Sequence, residues 1–261
     1  MKDIFILSII QGITEFIPVS STAHLQLAHK LFSLPSLGRL TEVMLHFGTV
    51  LVPLIYFHKD IINMIGGVLN AVRGKVTDGF WLAFFIVVAT IPVVIAGFTL
   101  ETYLPSLGRT MKIIGWTSII SGVLLYVIDE NAPTSKNLST MTFKDALVVG
   151  MLQVIALIPG VSRLGITLIA TRILGFKRTE AARFSFLLSI PAILGAATLM
   201  VAKLPDPLVM FTSTTLLTAM AISFGVGLIV LFMIMTWLKK FSFAPIALYR
   251  IALGLFLLWY F

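Results

Sequence analysis

The chain contains no cysteine, which excludes disulfides, thiolate metal sites and a cysteine nucleophile. Charge is nearly as scarce. Asp, Glu, Lys and Arg make up 11% of the 261 residues, where a soluble domain carries roughly 25%, so an ordinary water-soluble globule is excluded. Acidic residues are the rarer sign, 11 against 19 basic ones, and a balance of +8 in so apolar a chain points to loops facing anionic lipid, not to nucleic acid. Walker, zinc-binding and dinucleotide patterns are also missing. Met1 to Ile17 lacks a signal-peptide pattern, because Asp3 balances Lys2 and Glu15 interrupts the apolar stretch.

Apolar length is what the chain has. Hydrophobic residues make up 58% and the mean hydropathy is +1.04. Uncharged runs of 22 residues between Asp78 and Glu101 and of 32 between Asp206 and Lys239 exceed the roughly 20 that one bilayer crossing needs. Six crossings are predicted: Val43 to Phe57, Leu82 to Leu100, Ile113 to Ile128, Phe184 to Ala202, a stretch within Leu208 to Leu238, and Phe241 to Phe261. Ile61 to Lys75 is expected along the membrane surface.

Two further apolar stretches do not read as plain crossings. Residues 4–28 are interrupted by Gln11, Glu15, Pro18 and Ser20-Ser21-Thr22, and residues 146–170 by Gln153, Pro159-Gly160, Ser162 and Arg163. A helix that stops there leaves unpaired backbone groups, which hydrocarbon does not tolerate. Both are therefore expected to be re-entrant broken-helix hairpins lining a cavity inside the bundle.

The same stretches open an internal repeat. At an offset of 142, Lys2-Asp3 falls on Lys144-Asp145, Gln11 on Gln153, Val19-Ser20 on Val161-Ser162 and Lys30 on Arg172; at 138, Thr41-Glu42 falls on Thr179-Glu180 and Pro53 on Pro191; at 132, Ile119 and Gly122 fall on Ile251 and Gly254. A hairpin followed by three crossings inverts the second copy relative to the first. The expected fold is thus an all-α polytopic membrane protein: an inverted repeat with six transmembrane helices and two re-entrant hairpins, its halves at 1–135 and 141–261.

Charge inside a bilayer is costly, so Glu15, His24, Arg163 and Arg250 are candidates for function. Arg250 is expected to snorkel or to pair with Glu101 or Asp129, and His29 and His46 to sit on bundle interiors. After Pro159-Gly160, Ser162 is a natural helix cap, and a helix start beside the Arg163 fork suits a phosphate; a structural Arg163–Glu15 pair remains the alternative. Gln11 and Glu15, four apart, share a helical face and offer oxygens to a hard divalent cation, Mg2+ or Ca2+, unless Gln11 merely bonds backbone freed at the break. Ser20 and Ser21 precede His24 by four and three residues; Ser21 and His24 share a face, as a nucleophile and its base would, while the alternative is that Ser20 or Ser21 is only an N-cap. Back-to-back hairpins would bring these groups to one cavity with Gly160, Ser162, Arg163 and Thr167.

Gln11-Gly12-Ile13-Thr14-Glu15-Phe16-Ile17-Pro18-Val19-Ser20-Ser21-Thr22-Ala23-His24 and Pro159-Gly160-Val161-Ser162-Arg163-Leu164-Gly165-Ile166-Thr167 resemble the two motifs of the undecaprenyl-diphosphate phosphatases, also called bacitracin-resistance proteins. The resemblance implies hydrolysis of a polyprenyl diphosphate in the inner membrane, at a site opening to the outer face, to recycle a cell-wall lipid carrier. By residue it implies Glu15 as the acid assisting metal or water, with Gln11 beside it, Ser21 as nucleophile and His24 as its acid or base. It further implies Ser162 and Arg163, with Ser20, Gly160 and Thr167, around the phosphate. Ala23, Leu164 and Gln11 depart from the commonest pattern. A polyprenyl-phosphate flippase or small-solute transporter is the rival, since inverted repeats serve alternating access too. Self-association into a homodimer is left open.

Placing residues 59–78, 129–145, 172–183 and 239–240 in the cytoplasm gathers eleven basic residues there against six outside. Cysteines introduced as Lys136→Cys and Lys240→Cys are expected to react only with maleimides that enter the cytoplasm; labelling of both by an impermeant reagent in intact cells would reverse the orientation.

Overall fold

A computed structural model describes residues 2–32, 38–103, 110–202 and 212–261. The side chains of Arg39 and Glu101, and residues Arg109 and Lys203, for which the sequence raised expectations, lie outside the described set. The described chain is helical: α1 Lys2–Phe16, α2 Ser21–Leu31, α3 Gly38–Tyr56, α4 His58–Val72, α5 Asp78–Tyr103, α6 Met111–Asn131, α7 Phe143–Gln153, α8 Arg163–Ile173, α9 Arg178–Val201, α10 Thr214–Trp237 and α11 Ala244–Tyr260. Short 3-10 turns lie at Leu138–Thr140 and Val154–Leu157.

Four helices are long and apolar enough to cross a membrane, Asp78–Leu100, Met111–Asn131, Arg178–Val201 and Thr214–Trp237; α3 bends by 78° into α4, and α11 is apolar but shorter. The protein is therefore all-α and membrane-spanning, with one bent helix pair. The bend turns α4 away from α3, and Ile62, Ile65, Leu69 and Val72 form an exposed apolar stripe on it, the pattern of a helix lying in the interface. Hydroxyl caps start several helices: Thr110 accepts from Ile113 N, Ser213 from Leu216 N, and Thr142 forms a capping box with Asp145.

Small residues let the helices approach closely, as membrane packing requires. Where α6 crosses α11, a Cβ on Gly122 would meet Ile251 at 3.0 Å and one on Gly254 would meet Ile119 at 2.6 Å. The contact is reciprocal between residues that match in the repeat.

At one end of the bundle the fold is tied by Asp129, fully buried at the end of α6. It accepts from Arg172 Nε at 2.8 Å, from Arg178 Nε at 2.9 Å and from the backbone N–H of Phe243 at 2.9 Å. Arg172, equally buried, spends its remaining donors on the carbonyls of Asp129, Ala132, Pro133 and Phe176. One carboxylate thus joins α6, α8, α9 and the start of α11. Removing one partner of such a pair strands a buried charge, at a cost of about 3–5 kcal/mol. Asp129→Leu is expected to lower markedly the temperature at which the detergent-solubilised protein loses its monodisperse size-exclusion peak.

Candidate active site

The site begins where two helices stop. The chain turns at Pro18 after α1 and at Pro159-Gly160 after the 3-10 turn that follows α7, then enters α2 and α8 through serines of left-handed conformation, Ser20 at φ 73° and Ser162 at φ 69°. Among the described residues these are the two non-glycine positions with positive φ, and they are partners at the offset of 142. Such a conformation costs about 1–3 kcal/mol at a residue with a Cβ. Each serine also caps its helix: Ser20 Oγ accepts from Ala23 N at 3.4 Å and Ser162 Oγ from Gly165 N at 3.1 Å. Gly160 has φ 91°, and a Cβ there would lie 2.2 Å from Thr117 Oγ1, so the second break requires glycine. Thr117 Oγ1 donates to the Pro159 carbonyl at 2.8 Å.

The carbonyls left open at the two breaks are taken by Arg250 of α11. Its guanidinium, with no exposure, donates to Pro18 O at 2.7 Å, Gly160 O at 3.1 Å, Val161 O at 2.8 Å and Ser121 Oγ. This corrects the expectation of snorkelling or of a pair with Asp129. Asp129 is already saturated by Arg172, Arg178 and Phe243, whereas the broken backbone offers neutral acceptors that five guanidinium donors suit.

Glu15, on the last turn of α1, divides its two oxygens among three partners. Oε1 accepts from Arg163 at 2.7 Å, and Oε2 accepts from Ser21 Oγ at 2.8 Å and Gln11 Nε2 at 3.1 Å. Arg163 Nη1 is buried and has no hydrogen-bond partner, so one prong of the fork keeps its donors unspent. Glu15, Ser21 and Arg163 form the polar floor of a cavity of about 860 Å³, lined also by Thr14, Ser20, Ser162 and Gly160, with apolar walls from α5 and α9.

Glu15, Ser20, Ser21, Gly160, Ser162 and Arg163 therefore meet as the sequence led us to expect, and the Arg163–Glu15 pair forms as well. Three expected groups stand differently. Gln11 is wholly buried behind Glu15, its Oε1 unpartnered. Thr167 is buried, and its hydroxyl donates to the carbonyls of Arg163 and Leu164 in its own helix, away from the cavity. His24 does not hydrogen-bond Ser21. Its Nδ1 must donate to the Ser20 carbonyl, 2.8 Å away, leaving Nε2 to accept from Tyr249 Oη at 2.7 Å. Tyr249 on α11 draws the ring away, and Ser21 faces Glu15 instead.

His46 of α3 was not singled out for the site. It lines the cavity and accepts from Gln11 Nε2 at 3.1 Å, with Glu15 Oε2 at 4.0 Å; its place beside Gln11 across two helices left no local signal. No group of three His, Cys, Asp or Glu side chains that would hold a metal occurs among the described residues. Glu15 and the unpartnered Gln11 Oε1 are the oxygens that a divalent cation would find. The departures from the motif are accommodated: Ala23 and Leu164 are buried, at 1% and 3% exposure.

Fold and site define an integral-membrane helix bundle with a carboxylate, hydroxyl and guanidinium chamber built at two helix breaks. The chain belongs to the bacitracin resistance protein BacA family, whose model matches residues 4–256. It is 40% identical over 259 residues to an undecaprenyl-diphosphatase of Alteromonas mediterranea, covering 99% of this chain and 97% of that one. It is 36% identical over 257 residues to the Dinoroseobacter shibae undecaprenyl-diphosphatase, covering 98% and 96%, and 40% identical over 265 residues to undecaprenyl-diphosphatase 1 of Rhodospirillum rubrum, covering 99% and 94%.

Arg250→Lys keeps the charge but gathers the donors on one atom, which cannot reach both breaks. We expect a loss of about 2–4 kcal/mol, measured as an earlier thermal loss of the monodisperse peak.

Proposed function

We propose that the protein hydrolyses undecaprenyl diphosphate, or a related polyprenyl diphosphate, to the monophosphate and inorganic phosphate, returning the lipid carrier to cell-wall glycan assembly. The observation that carries this is the Ser21 hydroxyl donating to Glu15 beside the unpartnered prong of Arg163, on the floor of a cavity walled by apolar side chains. Transport alone has no use for a hydroxyl held on a carboxylate. The tail needs little from the protein, since each methylene kept out of water is worth about 0.8 kcal/mol to the bilayer.

In the proposed reaction the terminal phosphate lies at the start of α8, between Ser162 and Arg163 Nη1, with the α2 start at Ser20 on the other side. Ser21 Oγ passes its proton to Glu15 and attacks the terminal phosphorus. The bond from that phosphorus to the bridging oxygen breaks, and the prenyl monophosphate leaves with the electron pair. Glu15 passes its proton to the departing monophosphate. Water then gives a proton to Glu15 and attacks the phosphoserine phosphorus, the bond from Ser21 Oγ to phosphorus breaks, Ser21 Oγ takes the proton back from Glu15, and inorganic phosphate is released. Arg163 offsets the charge that develops on the equatorial oxygens. His24, through its bond to the Ser20 carbonyl, holds the strained cap in place. Where a divalent cation such as Mg2+ or Ca2+ takes part, Glu15 and Gln11 would hold it, and it would neutralise charge on the diphosphate oxygens.

The architecture we propose is two inverted halves, 1–135 and 141–261, each a re-entrant hairpin, 4–28 or 146–170, followed by three crossings. In support, the strained caps Ser20 and Ser162 occupy matching positions. The Ile119–Gly254 and Gly122–Ile251 contacts are reciprocal, as a two-fold relation demands, and α1 packs on α10 as α7 packs on α5. We further propose that the site opens to the outer face of the inner membrane; the excess of basic residues in the loops assigned to the cytoplasm supports that orientation.

The test is phosphate release from undecaprenyl diphosphate in detergent micelles, where transport has no meaning. Glu15→Gln and Ser21→Ala are each expected to lower turnover more than 100-fold, about 2.7 kcal/mol, with the double variant no worse than the poorer single one, because they act as one unit. Full turnover in Ser21→Ala would replace the serine by a water activated by Glu15. Arg163→Lys is expected to lower turnover more than tenfold, about 1.4 kcal/mol; an unchanged rate in a folded protein would leave only the structural pair with Glu15.

A further inference from the structure

The two helix breaks are held unequally. At the second, both bonds that start α8 are short: Ser162 Oγ accepts from Gly165 N at 3.1 Å, and the Ser162 carbonyl accepts from Ile166 N at 2.9 Å. At the first, the matching bonds of α2 are long, with Ala23 N 3.4 Å from Ser20 Oγ and His24 N 3.3 Å from the Ser20 carbonyl. Backbone hydrogen bonds weaken at such lengths, so the start of α2 does less to hold Ser20 in its left-handed conformation. A side chain makes up the difference: His24 Nδ1 donates to the Ser20 carbonyl at 2.8 Å. Ile166, which stands where His24 does in the second copy, has no polar atom to offer, and α8 needs none.

Both the direction of the His24 ring and the place of its proton are set by Tyr249. Its hydroxyl donates to Nε2 at 2.7 Å, which leaves the proton on Nδ1, and the two rings stack 5.8 Å apart and 15° from parallel. Adjacent residues of α11 thus grip the first break, Arg250 at the Pro18 carbonyl and Tyr249, by way of His24, at the Ser20 carbonyl. At the offset of 132, Tyr249 falls on Thr117 of α6, whose hydroxyl donates to the Pro159 carbonyl at the second break. Matching residues of α6 and α11 therefore each brace the break of the opposite half, one directly and one through an imidazole. The cavity is lined by Ser20, Ser21 and Thr22 of this turn; among the described residues, neither His24 nor Tyr249 belongs to its lining.

We propose that Tyr249 is a positioning residue for the reaction: through His24 it fixes the Ser20 carbonyl, and with it the first turn of α2, from which Ser21 Oγ reaches Glu15 at 2.8 Å. The role rests on the proposed hydrolysis. Ser21 is one peptide away from Ser20, so a Ser20 that relaxed to an ordinary negative φ would swing the Ser21 hydroxyl off the carboxylate. The phosphate would still find Ser162 and Arg163, which stand on α8. A loss of this kind falls on the attack and not on binding, so it lowers kcat and leaves KM in place.

Tyr249 is half-exposed, so Tyr249→Phe removes one hydroxyl and leaves the packing as it is. With undecaprenyl diphosphate in micelles, it is expected to lower kcat about tenfold and to change KM less than about twofold. In a His24→Ala background the same change is expected to cost less than about twofold, because the link is already cut. His24→Asn keeps an N–H where Nδ1 stood and has nothing in place of Nε2; it is expected to turn over at least about tenfold faster than His24→Ala. An unchanged kcat in Tyr249→Phe, an equal cost in both backgrounds, or a His24→Asn protein as slow as His24→Ala would overturn the assignment. A second arm needs no turnover. In protein carrying nitrogen-labelled histidine, the His24 resonances, identified by their loss in His24→Asn, are expected to show the proton on Nδ1, and Tyr249→Phe to bring up the Nε2–H form. A proton on Nε2 in the parent protein overturns the link. A parent that releases no phosphate overturns the hydrolysis instead, and the nitrogen spectrum then decides the link by itself.

Discussion

A single buried guanidinium makes the interior of this bundle possible. Helices that stop inside a membrane protein leave carbonyls that neither water nor hydrocarbon can satisfy, and Arg250 supplies donors to the carbonyls at both breaks from one side chain. Because the same group holds Pro18 and Gly160-Val161, the starts of α2 and α8 are brought to one place. Ser20, Ser21, Ser162 and Arg163 share a cavity as a consequence. Among the described residues no carboxylate pairs with Arg250, so its charge adds to the positive field behind the floor. At the Asp129 hub the opposite choice was made: Arg172 is neutralised by a carboxylate as well as bonded to carbonyls. Positive charge is cancelled where only cohesion is needed and left uncancelled beside the chamber.

Glu15 couples the two halves of the site. One oxygen receives Arg163 from the second break and the other receives Ser21 from the first, so a carboxylate on α1 aligns a hydroxyl on α2 with a guanidinium on α8. Gln11 and His46 support it from behind, the amide donating both to Glu15 and to the imidazole. Ser162 is followed by arginine and Ser20 by serine, so matching caps present a cation on one side and a hydroxyl on the other.

Much of this was legible because polar residues stand out in so apolar a chain. Pro18 and Pro159-Gly160 announce breaks wherever they occur, and the polar residues beside them are those that meet in the cavity. The Ser21–His24 pairing was not legible, although the two share a helical face, because the direction of the His24 ring is decided by Tyr249, 225 residues away. Arg250 could not be assigned for a similar reason. Its acceptors are backbone carbonyls from two remote segments, and a carbonyl leaves no mark on composition. Thr167 lies within a phosphate-like motif, but one turn of helix carries its hydroxyl back to the carbonyls of Arg163 and Leu164.

Hydropathy, proline and glycine placement and the repeat offsets determined by themselves that the chain is an all-α membrane protein with two polar interruptions, since each of these acts over a few residues or one span. Which polar groups touch and which arginine is neutralised were decided only by the tertiary structure. Those outcomes depend on distances between helices far apart in the chain. There an extra methyl at Gly254 or a hydrogen bond to Pro18 outweighs any local preference.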